Sequence, residues 1–304
     1  MMVDLIKLDT EKNNQHTIDI DAVSTEEILR KINNEDKTVA SIVEESIGDI
    51  SILVDQIVDR MKVGGRLFYI GAGTSGRLGV LDAAECPPTY GVDKGLVVGI
   101  MTGGDNAMFT AQEGAEDSLE LAAKDLAYHN LSEKDSVIGL AASGRTPYVL
   151  GGLRYARQVD ALTGTISCVK NAEISGFADY PIEAVTGAEA IMGSTRMKAG
   201  TAQKLILNMI STSVMIKLGK VYKNYMVDVK ATNEKLVVRS KNMIRTLTGV
   251  DEERAELLYE QSGRSVKKAL IMEIMDVDRD TAEEALSKGD GHIKRAIQYL
   301  GGDV

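Results

Sequence analysis

Residues 67–76 read LFYIGAGTSG and join a short apolar run to a glycine-rich loop. The run has the length and bulk of a buried strand, and the loop fits the pattern G-x-G-x-x-G. A helical pattern follows the loop. A strand, a tight loop and a helix in this order point backbone N–H groups at an anion in front of the helix. The segment therefore predicts an α/β domain with an anion-binding loop.

Four more runs of this kind follow along the chain. Each contains β-branched residues and precedes a helical stretch or loop, and three of the four end in Gly or Thr: LVVGIMTGG (96–104), SVIGLAASGRT (136–146), GTISCVKN (164–171) and YPIEAVTG (180–187). Nearly continuous apolar strands that alternate with helices are typical of a parallel sheet covered on both faces. We expect an α/β sandwich built on this sheet.

Helical segments flank the predicted sheet on both sides. Ser24 and Glu27 form a capping-box pattern in the N-terminal part, and the segment after Gly249 reads as three or four short amphipathic helices. We expect three parts: an N-terminal helical arm (1–63), an α/β domain (64–249) and a small C-terminal helical subdomain (250–304). The last part resembles a ubiquitin-associated bundle.

The composition limits the classes of partner. The 304 residues carry a net charge of −10, which disfavours nucleic acid and anionic membranes. The two cysteines and three histidines show no metal-ligand spacing, and the chain starts without a signal-peptide pattern. These features predict a soluble, cytoplasmic protein without a metal, which binds neither nucleic acid nor membrane.

Two glycine loops carry the binding hypothesis. A dinucleotide fold expects an acidic residue at the tip of the second strand, but that strand ends in Thr-Gly-Gly (102–104). Hydroxyl-bearing loops at two helix N-termini suit one compact phosphate better. The alternative is that these Ser and Thr residues only cap the helices that follow. The candidate ligands are Gly73, Thr74, Ser75 and Gly76 in the first loop, and Ser143, Gly144, Arg145 and Thr146 in the second.

Longer motifs make the sequence similar to a known family. SGRTP after one strand and GTSG after another resemble the sugar isomerase (SIS) domain, which binds phosphosugars. Taken in order, GAGTSGRLGVLDAAECPPTYG, EGAEDS, AASGRTPYV, GSTRMKAGTAQKLILNMIST and MVDVKATNEKL resemble N-acetylmuramic acid 6-phosphate etherases over nearly the whole chain.

The resemblance implies cleavage of the D-lactyl ether at C3 of a 6-phosphorylated sugar. Removal of the C2 proton from the open-chain aldehyde lets lactate leave, and water then adds to the double bond. The route needs a base, an acid and donors for the enolate, and the resemblance implies no cofactor. It also implies a homodimer with sites near the subunit boundary, in a bacterium that recycles its cell wall.

Glu85 and Glu116 match the two catalytic positions of the family. Glu85 precedes Cys86-Pro87-Pro88, and a residue before proline is disfavoured in a helix, so we expect the helix to stop at Cys86. The negative end of the helix dipole would then disfavour ionisation of Glu85 and suit a proton donor. Glu116 is expected on a helix with an acidic face, which would normally be only a solvated one. The sequence does not decide which of the two removes the C2 proton.

Four cations lie close to the proposed loops, namely Arg77, Arg145, Arg196 and Lys198. An arginine fork could bind the phosphate or the lactyl carboxylate. For Arg77 and Arg145, ligand contact and structural pairing stay open. Arg196 and Lys198 could instead serve folding or a subunit interface. Two other functions also stay open for the chain: a phosphosugar isomerase and a non-catalytic phosphosugar sensor of the SIS family.

Overall fold

A computed structural model describes residues 9–110, 112, 114–231 and 233–303. They form two compact units. The first contains the described residues up to Glu85 together with Lys94–Ser211, and the second contains Cys86–Asp93 and the described residues from Thr212 onward. No helix of the described chain is long and apolar enough to cross a membrane.

A five-stranded parallel sheet organises the first unit. Its strand order is β2-β1-β3-β4-β5, and all four pairings are parallel. The five predicted runs are therefore confirmed as strands of one sheet. Their bounds are β1 (Leu67–Gly71), β2 (Val97–Met101), β3 (Ser136–Leu140), β4 (Leu162–Ser167) and β5 (Tyr180–Glu183).

Seven helices accompany this sheet in the described part of the chain, and α4 and α7 contribute residues to both units. Their bounds are α1 (Thr25–Asp36), α2 (Val39–Glu44), α3 (Ile47–Lys62), α4 (Gly73–Tyr90), α5 (Leu121–Tyr128), α6 (Pro147–Gln158) and α7 (Lys198–Lys217). The capping box of α1 is present, since Ser24 accepts from the N–H of Glu27 and the Glu27 side chain accepts from that of Ser24.

Both faces of the sheet are covered, as the apolar strands predicted. On one face, Phe68 and Ile70 of β1 pack with buried residues of α5 and α6, including Leu126 and Leu153. On the other face, Gly79 of α4 lies so close to Tyr69 that an added Cβ would come within 2.9 Å of the Tyr69 Cβ. Because side chains alternate across a strand, a strand buried on both faces reads as an unbroken apolar run.

The second unit is helical apart from one short hairpin. The elements are β6 (Val221–Tyr222), β7 (Tyr225–Met226), α8 (Glu234–Thr248), α9 (Glu252–Gln261), α10 (Val266–Met275), α11 (Arg279–Lys288) and α12 (Ile293–Tyr299). The predicted short helices after Gly249 are confirmed as α9–α12. They share one apolar core with Met243 and Ile244 of α8. The likeness to a ubiquitin-associated bundle stays a prediction, as do the three domain boundaries.

Candidate active site

The two predicted loops lie side by side at the carboxyl edge of the sheet. β1 and β3 are adjacent, and their last residues, Gly71 and Leu140, are partners in the register. The next two strands along the chain, β2 and β3, lie on opposite sides of β1. The topological switch point therefore falls between β1 and β3. Open α/β sheets bind ligands in the crevice at this point. The fold thus brings both candidate loops to one edge of the sheet, where such folds bind ligands.

Glycines let the first loop approach its strand closely. A Cβ on Gly76 would come within 2.6 Å of the Gly71 carbonyl oxygen, and Gly73, the first residue of α4, has φ +51°. Thr74 is half-buried and Ser75 is buried. The Ser75 hydroxyl donates to Oε1 of Gln203 on α7 at 2.8 Å. Ser75 therefore ties α4 to α7 in this structure.

The second loop leaves its polar side chains available. Gly144 has φ +70°, and Thr146 occupies the N-cap position of α6 but makes no side-chain cap bond. Ser143, Arg145 and Thr146 are half-buried, and their side chains make no hydrogen bond or ion pair with the described residues. The alternative that the Ser143 loop only caps a helix thus finds no support in the observed bonds.

The four candidate cations differ in what they contact. The Arg77 guanidinium donates to the carbonyl oxygens of Ala107 and Met108, at 2.7 and 3.0 Å, so it pairs structurally with the turn that follows β2. Arg145 is half-buried, and Arg196 is exposed without a side-chain partner among the described residues. Arg145 is therefore the cation of the loops best placed for an anionic ligand.

Lys198 belongs to a buried network at the start of α7. Its ammonium lies 2.6 Å from Oε2 of Glu35, and only 5% of Lys198 is exposed. The Glu189 carboxylate accepts from the backbone N–H groups of Lys198 and Ala199, both at 2.9 Å. Burial raises the pKa of Glu189. Protein carboxylates thus occupy the start of α7, which favours the folding role considered for Lys198.

The expected helix end at Cys86 is wrong. α4 runs on to Tyr90 and contains both Pro87 and Pro88. Glu85 therefore lies five residues before the helix end, and the dipole argument fails because that effect is confined to the last turn. Glu85 is exposed. It lines a cavity of about 230 Å³ between α4 and α7.

Sequence reasoning missed three polar residues of this cavity, which are Asp82, Lys204 and Asn208. Asp82 is buried, and its Oδ1 accepts from Asn208 Nδ2 at 2.8 Å and from Ser211 Oγ at 3.0 Å. Burial raises the pKa of Asp82, against the opposing hydrogen bonds of Asn208, Ser211 and Tyr69. A usable signal existed, since residues three or four apart share a helix face. That spacing joins Asp82 to Glu85 and Lys204 to Asn208.

Glu116 lies in a 3₁₀ turn, Ala115–Asp117, and not on the expected acidic helix. The turn follows Gly114, whose φ of +81° is a left-handed conformation that glycine adopts readily. Glu116 is exposed, and it is not among the residues that line the Glu85 cavity. The structure therefore does not bring the two catalytic candidates of one chain into one cavity. In the described residues, His, Cys, Asp and Glu side chains form no cluster of three that could hold a metal ion.

Part of the chain is similar to a known family model and to a solved structure. The profile of the glucokinase regulatory protein N-terminal SIS domain matches residues 49–157. The solved structure of a phosphoheptose isomerase from Francisella tularensis aligns over 62% of this chain and 98% of that chain, with a TM-score of 0.49 and 17% identity.

Two curated relatives match the chain almost from end to end. An N-acetylmuramic acid 6-phosphate etherase from Clostridium botulinum is 57% identical over 293 residues, which cover 96% of this chain and 97% of the relative. An etherase of the same name from Caldanaerobacter subterraneus is 54% identical over 294 residues, 97% of this chain and 96% of the relative. Identity at this level over whole chains is shared by members of one family, and the chain belongs to the N-acetylmuramic acid 6-phosphate etherase family.

Proposed function

We propose that the protein is a carbon–oxygen lyase that cleaves N-acetylmuramic acid 6-phosphate into N-acetylglucosamine 6-phosphate and D-lactate, in the recycling of cell-wall amino sugars. The observation that carries this proposal is the 57% identity to an etherase over 96% of the chain. The loops at the switch point support it, because they offer amides and unpaired hydroxyls to a phosphate.

The chemistry is an elimination followed by hydration. A carboxylate removes the C2 proton of the open-chain aldehyde, the C2–C3 double bond forms, and the C3–O bond breaks. The departing ether oxygen takes a proton from a carboxylic acid, which yields lactate. Water then adds its hydroxyl to C3 and a proton to C2. We assign Glu85 as the acid and Glu116 as the base.

The phosphate is proposed to bind at the two loops of one chain. The ligand groups are Gly73, Thr74, Ser75, Gly76 and Arg77 of the first loop and Ser143, Gly144, Arg145 and Thr146 of the second. Ser143, Arg145 and Thr146 are the strongest of these because their side chains have no described partner. Arg77 is proposed to act indirectly, by holding the backbone carbonyl groups of Ala107 and Met108. Arg196 stays a predicted contact, whereas Lys198 is proposed to support α7.

The Ser143→Ala variant is expected to bind the 6-phosphorylated sugar about 10- to 100-fold more weakly, since a hydrogen bond to a charged group contributes ~1.5–3 kcal/mol. Binding of the unphosphorylated sugar should change little. Calorimetric titration with both sugars measures the difference. Ser41→Ala, at an exposed position of α2, is a suitable control. Ser175→Ala is not, because Ser175 donates a hydrogen bond to Glu183. Equal weakening toward both sugars would show that Ser143 only supports the loop.

The separation of the two candidate glutamates supports a site built from two copies of the chain. Glu116 is not among the residues that line the Glu85 cavity, although the proposed chemistry needs an acid and a base at one sugar. We therefore propose a homodimer in which Glu85 acts on the sugar held by the partner copy.

Mixed dimers test this arrangement. Glu85→Gln copies and Ser143→Ala/Thr146→Ala copies, co-expressed with different tags, should be nearly inactive alone. Together they should recover about a quarter of parental activity, because half of the dimers in a C2 assembly are mixed and each mixed dimer has one intact site. The rate of lactate release is measured at a substrate concentration below the KM of the parent. Activity no higher than the average of the two separate variants would place both groups in one copy.

Two other functions compete with the etherase. A sensor binds the phosphosugar without turnover, and an isomerase moves hydrogen between C1 and C2 while the ether stays intact. Release of D-lactate from N-acetylmuramic acid 6-phosphate by the purified protein distinguishes all three. Binding without release would favour the sensor and overturn the etherase. The cytoplasmic location stays a prediction.

A further inference from the structure

Lys204 is a cation that the structure leaves for a ligand. It lies in the second turn of α7, it is exposed, and it lines the cavity that also contains Glu85. Its ammonium makes no hydrogen bond or ion pair with the described residues. The positive charge favours the ionised form of Asp82 nearby. The cavity thus holds one unpaired cation beside two carboxyl groups.

The Asp82 carboxylate has hydrogen-bond partners other than this cation. Only 6% of Asp82 is exposed, and its Oδ1 already accepts from Asn208 and Ser211. Asn208 and Ser211 lie on α7, one and two turns beyond Lys204. These bonds fix the carboxylate against the helix that carries Lys204. Lys204 lines the open cavity, where an anionic ligand would give its ammonium a partner.

The rest of the cavity is apolar. Leu78 and Leu81 of α4 and Leu207 of α7 complete its lining. Its volume is about 230 Å³, whereas a water in the liquid takes ~30 Å³. A group of six non-hydrogen atoms fits such a space. The best ligand combines one carboxylate with a small apolar substituent.

We propose that this cavity is the lactyl subsite, in which Lys204 binds the lactyl carboxylate beside Glu85 and the leucines contact the methyl group. The assignment rests on the proposed function. In the lactyl group a single carbon separates the ether oxygen from the carboxylate. A proton donor for that oxygen and a cation for that carboxylate must therefore share one pocket, and Glu85 and Lys204 line the same cavity.

The test compares two substrates, N-acetylmuramic acid 6-phosphate and its analogue in which the lactyl carboxylate is a primary amide. The parent protein should prefer the acid about 10- to 100-fold in kcat/KM, the range expected for ~1.5–3 kcal/mol from a charged contact. Lys204→Met should erase this preference by losing activity toward the acid alone. Lys204→Arg should keep part of it. Lys62→Met, an exposed lysine of α3, should behave as the parent.

A second readout separates binding of the lactyl group from a structural role. N-acetylglucosamine 6-phosphate lacks the lactyl group, so the rate at which its C2 proton exchanges with deuterium should be unchanged in Lys204→Met. The proposal is overturned if Lys204→Met still prefers the acid substrate over the amide. It is also overturned if this variant loses C2 proton exchange to the same extent as lactate release. If the parent releases lactate from neither substrate, the proposed function fails by itself. The subsite is then judged by NMR titration with D-lactate, whose binding Lys204→Met must abolish.

Discussion

The Glu85→Gln variant is expected to release D-lactate about 10²- to 10⁴-fold more slowly than the parent, the usual range for loss of a general acid. Lactate leaves from an unactivated ether, so the departing oxygen depends on proton donation. Glutamine keeps the size of the side chain but has no acidic proton. Because Glu85 is exposed and pairs with no described residue, the substitution should leave folding and phosphosugar binding intact. Enzymatic detection of D-lactate under saturating substrate measures the effect.

Two controls test whether the loss is specific to the acid role of Glu85. Glu133→Gln changes another exposed glutamate of the same unit and should retain parental activity. C2 proton exchange in N-acetylglucosamine 6-phosphate should persist in Glu85→Gln, because that reaction involves no departing ether oxygen. Lactate release within tenfold of the parent would refute Glu85 as the acid.

The sheet was predictable because its signals are local. β1 has five consecutive buried residues and β3 has the same pattern. Burial on both faces of these strands is therefore visible in the sequence as short apolar runs. The glycine loops were equally readable, since a close approach such as that of Gly76 to Gly71 tolerates no side chain. The position of both loops at one edge then follows from the parallel strand order.

The end of α4 was not predictable from the proline rule alone. Steric clash with Pro87 disfavours a helical Cys86, and each proline removes a backbone donor. The missing donors would serve only the carbonyl groups of Ala83 and Ala84, near the end of the helix. Cys86 is 2% exposed and Ala83 is 6% exposed, so tertiary packing favours continuation of the helix over the local preference.

The roles of the cations depend on contacts between distant parts of the chain. Lys198 pairs with Glu35, 163 positions away, and Arg77 contacts a carbonyl oxygen 30 positions away. No local pattern reveals such partners. The same limit hid Asp82, whose partners Asn208 and Ser211 lie more than a hundred positions away. The sequence thus predicted the two loops and named Glu85 and Glu116 as candidates, but it could not separate cations that contact protein from those left for a ligand.

The Glu116→Gln variant is expected to lose both lactate release and C2 proton exchange, each by about 10²- to 10⁴-fold, as general base catalysis typically contributes that much. Proton removal at C2 begins the elimination, and it is also the whole of the exchange reaction. A base variant should therefore fail in both assays, whereas an acid variant should fail in only one. NMR of N-acetylglucosamine 6-phosphate in D₂O follows the exchange.

The turn that carries Glu116 supplies its own matched control. Asp117 lies in the same 3₁₀ turn and is also exposed, so Asp117→Asn removes an equal charge from the same place. If the negative charge of this turn acted only through its electrostatic field, Glu116→Gln and Asp117→Asn would lose activity to the same extent. A specific base predicts that Asp117→Asn keeps parental exchange while Glu116→Gln loses it. If C2 proton exchange survives in Glu116→Gln but disappears in Glu85→Gln, the two roles are reversed. If exchange survives in both variants, neither glutamate is the base that removes the C2 proton.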